Sequence, residues 1–437
     1  MPLACSAQLN HRLAAFGNVS NALVESKIIA PPTGGIYFGQ YSWRPNGGDI
    51  PDVESAAGIK TAWFSPLRGQ WGLGYVSGHP HLDVAVANHV WEQGRVILVQ
   101  SYNLFAGTDS EHPTGFTVDQ LLSGTYDSNL ATFAAELRSF GKPCWMQCGR
   151  EPNGVGQSYM GGFGTLGDQS LSWAITNGLA YNQFTPPSPP SGAASDIYSG
   201  CSGSSIPDGV GRLKAGQRYL YDYFVRRENL KFLTFDSQGW AARYWINSGT
   251  NRDVSDSADY VGHEAYALQV LQDANFTNFY PGDNYCDWVS LTFYTLDYYD
   301  ASWTWLSGSD ILIPTTDWLT SLAHTYAQVQ GVTAKPILLA ELGMPDGMNS
   351  NTSYGASKVT DTFNAILDTY TQIKGVSLWS NLLPADGGWF QADDFPYDCL
   401  IAPGTTQATA LQAVIAAHPG KFHSAAYFTG NRKHPRA

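Results

Sequence analysis

The sequence contains no CxxC pair, no HExxH and no P-loop, and no GxGxxG follows an early apolar run. These absences speak against a metallohydrolase, a nucleotide-binding enzyme and a dinucleotide-binding fold. No cofactor and no metal is expected. No stretch approaches ~18 consecutive apolar residues, so no transmembrane helix is expected. The first residues, MPLACSAQLNHRLAAFG, lack the apolar core of a signal peptide. Charge is scarce as well, at 14% of 437 residues, while 43% are hydrophobic. That balance leaves enough apolar surface for a sizeable core and argues against disorder. What charge there is leans negative, 37 acidic residues against 24 basic, a formal net charge of −13. An acidic surface repels phosphate backbones and makes nucleic acid a poor partner.

Aromatic residues, by contrast, are abundant: 14 Trp, 24 Tyr and 20 Phe. A large barrel absorbs many of them in its core. Low charge with many Trp, Tyr, Asn and Gly also suits neutral sugars, whose C–H faces meet rings and whose hydroxyls meet amides. Six cysteines occur: Cys5, Cys144, Cys148, Cys201, Cys286 and Cys399. Cys144 and Cys148 share one extended run and stand ~13 Å apart there, too far to bridge. Cys201, in a Gly/Ser-rich loop, and Cys399, after "DDFPYD", are expected in disulfides with distant partners. N-x-[ST] sequons begin at Asn18, Asn275 and Asn351. Cysteines, sequons and substrate class together make a secreted protein the expectation.

Short apolar runs alternate with amphipathic stretches along the chain. The expected strands cover 34–43, 58–67, 95–105, 142–151, 230–240, 285–297, 335–343 and 375–383. Helical spacing marks the stretches before the third, fourth, fifth, seventh and eighth runs and after the last. Gly94 and Gly141 stand where C-terminal caps belong. Eight strands alternating with helices argue for a single (β/α)8 TIM barrel. Its core spans about 34–428 within one domain, 1–437, and a long Pro/Gly/Ser-rich insertion over about 155–210 follows strand four.

In such a barrel, catalytic residues come from the C-terminal ends of strands. "WMQCGREPNG" (145–154) puts Glu151 after the fourth run, and "LLAELG" puts Glu341 near the end of the seventh. Alone, Glu151 reads as a hydrogen-bonded structural residue, a solvated loop charge or an ion-pair partner of Arg150 before it reads as an acid. Two carboxylates facing each other across a barrel mouth suit glycosidic cleavage, one protonating the leaving oxygen and the other attacking or activating water. Asp236, in "TFDSQGW", is a plausible substrate contact. Trp389 and the acids Asp386, Asp393 and Asp394 follow the eighth run and are placed to line a cleft. His263 and Glu264 fall in a connection and read as bland.

Three segments then carry a resemblance. "CGREPNG", containing Asn153, resembles the His-Glu-x-Asn-Gly acid/base segment of the retaining glycoside hydrolases of clan A, most closely family 26, the β-mannanase and β-1,3-xylanase group. "FYPGDNYCDWVSLTFY" (279–294) resembles that family's run into strand six, and "KPILLAELG" its nucleophile strand. The resemblance implies Glu151 as general acid/base, Glu341 as nucleophile, Tyr294 as hydrogen-bond partner of the nucleophile, and Trp379 as the sugar-stacking floor. Tyr294 and Trp379 read equally as core residues without it. Arg150 stands where the family usually has His; a permanent cation there favours the ionised form of Glu151, unless it points away or binds the substrate. The implied protein is a monomeric endo-acting enzyme cleaving a β-linked polysaccharide, with β-1,4-mannan foremost. Alternatives are a β-1,3-xylanase or β-glucanase of the same clan, or a catalytically weak carbohydrate-binding barrel.

Overall fold

"ILLAELG", Ile337–Gly343, is buried at every position, as a strand covered on both faces must be. A computed structural model describes this strand within residues 29–42, 50–66, 73–76, 79–100, 118–148, 184–206, 208–240, 276–295, 319–344, 354–380, 399 and 401–424. Among them eight strands run parallel: β1 Ile36–Ser42, β2 Trp63–Pro66, β3 Val96–Gln100, β4 Cys144–Cys148, β5 Leu233–Trp240, β6 Trp288–Tyr294, β7 Ile337–Gly343 and β8 Ile373–Trp379. They pair in chain order. β8 pairs back onto β1, from Gly375 against Tyr37 to Trp379 against Tyr41. The curled sheet is thereby joined end to end, the (β/α)8 arrangement. A two-residue strand, Phe422–His423, adds outside the start of β1.

A helix follows each strand: α1 Ile50–Ala57, α2 Val84–Glu92, α3 Asp127–Phe140, α4 Asp208–Tyr221, α5 Phe276–Phe279, α6 Leu319–Val332, α7 Tyr354–Asp368 and α8 Thr406–Ala417. The caps follow from local chemistry. The Asp83 carboxylate accepts from the Ala85 and Val86 amides at 2.9 and 3.1 Å and starts α2. Thr405 Oγ1 accepts from the Ala408 amide at 3.1 Å and starts α8. Gly94 and Gly141 adopt positive φ, 76° and 61°, as the caps after α2 and α3 require. Sequence periodicity missed α1 and α5, which offer just eight and four residues to a 3.6-residue period. It also missed the antiparallel hairpin Leu73–Val76 with His79–Leu82.

The apolar residues sort into two shells. Alternate strand residues point outward and meet the helices: Met146, Leu233 and Phe235 in one half, Ile36, Phe38, Val289 and Leu339 in the other. The others fill the ring, where Tyr37, Trp63, Leu98, Trp145, Trp288 and Leu338 form a single cluster. Each large side chain so buried contributes about 1.5–3 kcal/mol. Trp63 fits because β1 and β8 carry glycine beside it. A Cβ on Gly39 would stand 1.9 Å from Trp63 Nε1, and one on Gly375 2.5 Å from Trp63 Cη2.

Residues 184–206 lie between β4 and α4 and pack on the outer wall. Tyr285 donates to Asp196 at 2.5 Å, Tyr198 to the Leu122 carbonyl at 3.0 Å, and Arg218 to the Pro281 carbonyl at 2.6 Å. Cys201 and Cys399 are buried thiols, as are Cys144 and Cys286, so the disulfides expected at Cys201 and Cys399 are not formed. Cys201 is instead folded inward beneath this segment, its Sγ 3.7 Å from the Ile197 carbonyl.

Candidate active site

The site is best built from β7, because that strand is out of step with both neighbours. On one side Leu291 pairs with Leu339 and the next residue, Thr292, with Glu341. On the other, Val376 pairs with Leu339 and Leu378 with Leu342. Against either partner β7 holds one extra residue, a bulge at Ala340. In an unbroken strand, Glu341 would share the outward face of Ile337 and Leu339. With the bulge, Ala340 packs in the interior cluster while Leu342 returns to the outer shell. Glu341 therefore faces the barrel interior beside Thr292, and it is 1% exposed.

One rung higher, four strands end together. Tyr294 of β6 pairs with Gly343 of β7, Gly343 with Trp379 of β8, and Trp379 with Tyr41 of β1. The rings of Trp379 and Tyr41 stack, with centroids 5.0 Å apart and planes at 22°. Both are buried. Nothing in the sequence beyond strand alternation in "IYFGQYS" pointed to Tyr41.

Asp236 lies within β5, four residues before its end at Trp240, and is 1% exposed. Trp145 donates its indole N–H to Asp236 Oδ2 at 2.6 Å. Burial pushes the Asp236 carboxyl up to about 8, against the opposing pull of Trp145, Ser290 and Gln147. Gln147 in turn donates to Ser290 Oγ at 3.4 Å. Gln147, Asp236 and Ser290 thus form a polar tier on β4, β5 and β6 beside the interior tryptophans. Polar residues inside otherwise apolar strands are the sequence signal for this tier, and Gln147 and Ser290 went unread.

Glu151, Arg150, Asn153 and Trp389 lie outside the described residues, as do His263, Glu264, Asp386, Asp393 and Asp394. The structure thus brings Glu341, the backbone of Tyr294, and Trp379 to one end of the ring. Asp236 it holds in the interior. Among the described residues no group of three or more His, Cys, Asp or Glu is placed to hold a metal ion. No helix of those residues is long and apolar enough to cross a membrane.

No protein-family model matches the sequence, and no curated relative does. Solved structures do match. The catalytic domain of the Bacillus sp. JAMB-750 GH26 endo-β-1,4-mannanase aligns with TM-score 0.50 and 16% identity, over 91% of this chain and 89% of that one. A Cellulomonas fimi endo-β-1,4-mannanase double mutant aligns with TM-score 0.51 and 16% identity, over 96% and 76%. GH26C from a Muricauda species gives TM-score 0.50 and 12% identity, over 94% and 90%. At such identities the likeness establishes the fold. The resemblance to family 26 read from three sequence segments is borne out at that level.

Proposed function

We propose that this chain is a retaining, endo-acting glycoside hydrolase of a β-linked polysaccharide, with β-1,4-mannan the foremost substrate. The observation that carries the reading is the β7 bulge. It spends a ladder irregularity on turning one carboxylate inward, near the strand end where barrel enzymes place their chemistry. Glu341 is the nucleophile in this scheme. Glu151, three residues beyond the end of β4, is the general acid/base. Along β4, Trp145 faces the interior and Met146 the outer shell. A strand continued past Cys148 would give Glu151 the parity of Trp145 and Arg150 the opposite one. That alternation supports an Arg150 turned away from the acid.

In the first step Glu341 attacks the anomeric carbon as Glu151 protonates the leaving oxygen. In the second, Glu151 takes a proton from the incoming water, which displaces Glu341. Tyr294 hydrogen-bonds the nucleophile, and the Trp379–Tyr41 stack supplies the floor for the sugar. Arg150, Asn153 and Trp389 are the further substrate contacts, while Asp236, 1% exposed and held by the Trp145 indole, supports the site from the interior. The chain acts as one secreted monomeric domain. The alternative, a binding barrel with little turnover, is favoured by Arg150 in place of His.

Turnover of β-mannan, β-xylan and β-glucan, with the anomer of the first product read by proton NMR, tests the reading. Retention and a carboxyl separation of ~5–5.5 Å are expected. Glu341→Ala abolishes turnover on every substrate. Glu151→Ala is severe on polysaccharide but mild on aryl glycosides with good leaving groups, and azide rescues the latter as a β-glycosyl azide. Silence on the whole panel, or an intact Glu151→Ala on polysaccharide, sinks it.

A further inference from the structure

Between β4 and α4 the chain reads FTPPSPPS over residues 184–191, and residues 184–190 form neither helix nor ladder. The run is held at both ends. Phe184 is buried, with the Arg212 guanidinium 4.8 Å from its ring centroid. At the other end Pro190 rests against Gly124, where an added Cβ would stand 3.3 Å from its Cγ. The Ala193 amide donates to the Pro190 carbonyl at 3.0 Å, and the Ala194 amide to Asp222 Oδ2 at 3.3 Å. Four prolines fix the backbone between these anchors. Each sets its own φ near −65° and pushes the residue before it toward extended geometry. The result is a polyproline II path, with ~3 residues per turn.

That period sorts the side chains. Thr185, Ser188 and Ser191 stand three apart and share one face, and all three are exposed. Pro187 and Pro190, also three apart, are half-buried. One proline face thus lies toward the wall and the hydroxyl face points to solvent. The hydroxyls are also uncommitted. Elsewhere on the surface Ser123 Oγ donates to the Gln120 carbonyl at 3.0 Å, Ser128 Oγ to Asn129 Oδ1 at 3.4 Å, and Thr132 Oγ1 to the Ser128 carbonyl at 3.1 Å. Thr185, Ser188 and Ser191 make no such bond among the described residues. Hydroxyl residues interleaved with proline are the composition of O-glycosylated stretches, because an extended chain leaves each hydroxyl open to an enzyme.

We infer that Thr185, Ser188 and Ser191 form an acceptor site for O-linked sugar on the outer wall of the barrel. The donor is a sugar joined through its anomeric carbon to a nucleotide or lipid phosphate, and a host transferase brings the two together. The hydroxyl oxygen bonds to the anomeric carbon as that carbon's bond to the phosphate oxygen breaks. The phosphate leaves with the bonding pair, and a base of the transferase takes the hydroxyl proton. Exposed loops of small and polar residues are preferred sites of nicking, and sugar on this face covers one. The inference rests on the chain's being secreted and is independent of what the barrel mouth cleaves.

The test exports the full chain, behind an added leader, through a eukaryotic secretory pathway whose O-glycosyltransferases meet folded chains. Electron-transfer fragmentation of its peptides then locates the attached sugar. Sugar is expected on Thr185, Ser188 or Ser191 and absent from Ser123, Ser128 and Thr132. Replacing the three acceptors together by Ala removes it and leaves Tm unchanged. Pro187→Ala combined with Pro189→Ala keeps every hydroxyl but frees the backbone, and occupancy falls severalfold. An exported chain bare at all three positions overturns the inference. Equal occupancy of the three bonded hydroxyls overturns it too, as does occupancy indifferent to the prolines. Turnover on the glycoside panel is read from the same samples. A wild type that carries the sugar yet is silent on every glycoside overturns the hydrolase reading alone.

Discussion

Asp236 carries its carboxyl group into the barrel, where burial pushes it up to about 8. The unfolded chain releases that proton near pH 4. Between those limits the folded state binds more protons than the unfolded state, so stability falls as pH rises. The contribution is fully present below about pH 4 and is lost by about pH 8, with a limiting slope of about 1.4 kcal/mol per pH unit. Asparagine can still accept the Trp145 N–H but does not titrate. Denaturant melts at a series of pH values should therefore show Asp236→Asn gaining on the wild type from pH 4 to 8. Parallel curves would mean that the carboxyl is ionised inside the barrel. Gly39 offers a second test at this scale. Alanine in a strand is ordinarily better than glycine, but here its Cβ would meet Trp63 Nε1 at 1.9 Å. Overpacking of that kind costs about 1–3 kcal/mol. Gly39→Ala should lower Tm, and the loss should shrink when Trp63 is also Phe, the non-additivity of touching residues. Equal losses in both backgrounds would deny the contact.

At the scale of the element, β7 shows where sequence reading succeeds and where it cannot. The strand was legible because "ILLA" is apolar without alternation, the pattern of burial on both faces. Glu341 was legible as a carboxylate near a strand end. Its direction was not. A period of two assigns it the outward face, and only the pairing with β6 and β8 reveals the extra residue. That pairing is a long-range fact absent from any local window. Deleting Ala340 gives a sharp experiment. The register of β7 with β6 becomes regular, Leu339 to Glu341 against Leu291 to Thr292, and the extra residue opposite Val376–Leu378 of β8 is gone, while the carboxylate keeps the inward side from a changed backbone. The variant should fold with near-wild-type stability and lose at least tenfold in kcat, since a shift of about 1 Å can cost 100-fold. Full activity would show that the bulge does not aim Glu341.

Across the whole molecule, the eight-strand alternation was readable because each strand and its helix are separate apolar signals, repeated in order. α1 escaped because two helical turns barely establish a period, and Cys201 and Cys399, read as loop cysteines, are buried thiols instead. The cleft was readable only as a list of residue types at strand ends, since which of them meet depends on how the ring closes. That closure has an optical consequence. Trp63, Trp145 and Trp288 pack tilted against one another inside it, with centroids 5.6 and 4.7 Å apart and planes at 55° and 60°. Indoles so close share their excited states rather than absorbing as isolated chromophores. The near-ultraviolet circular dichroism of the folded chain should therefore carry a coupled, sign-alternating band, a reporter of fixed tertiary packing that disappears when packing is lost. Replacing Trp63 by Phe should remove the part of that band owed to the Trp63–Trp145 pair and leave the Trp145–Trp288 part, so the three rings become a built-in gauge of whether the ring of strands is shut.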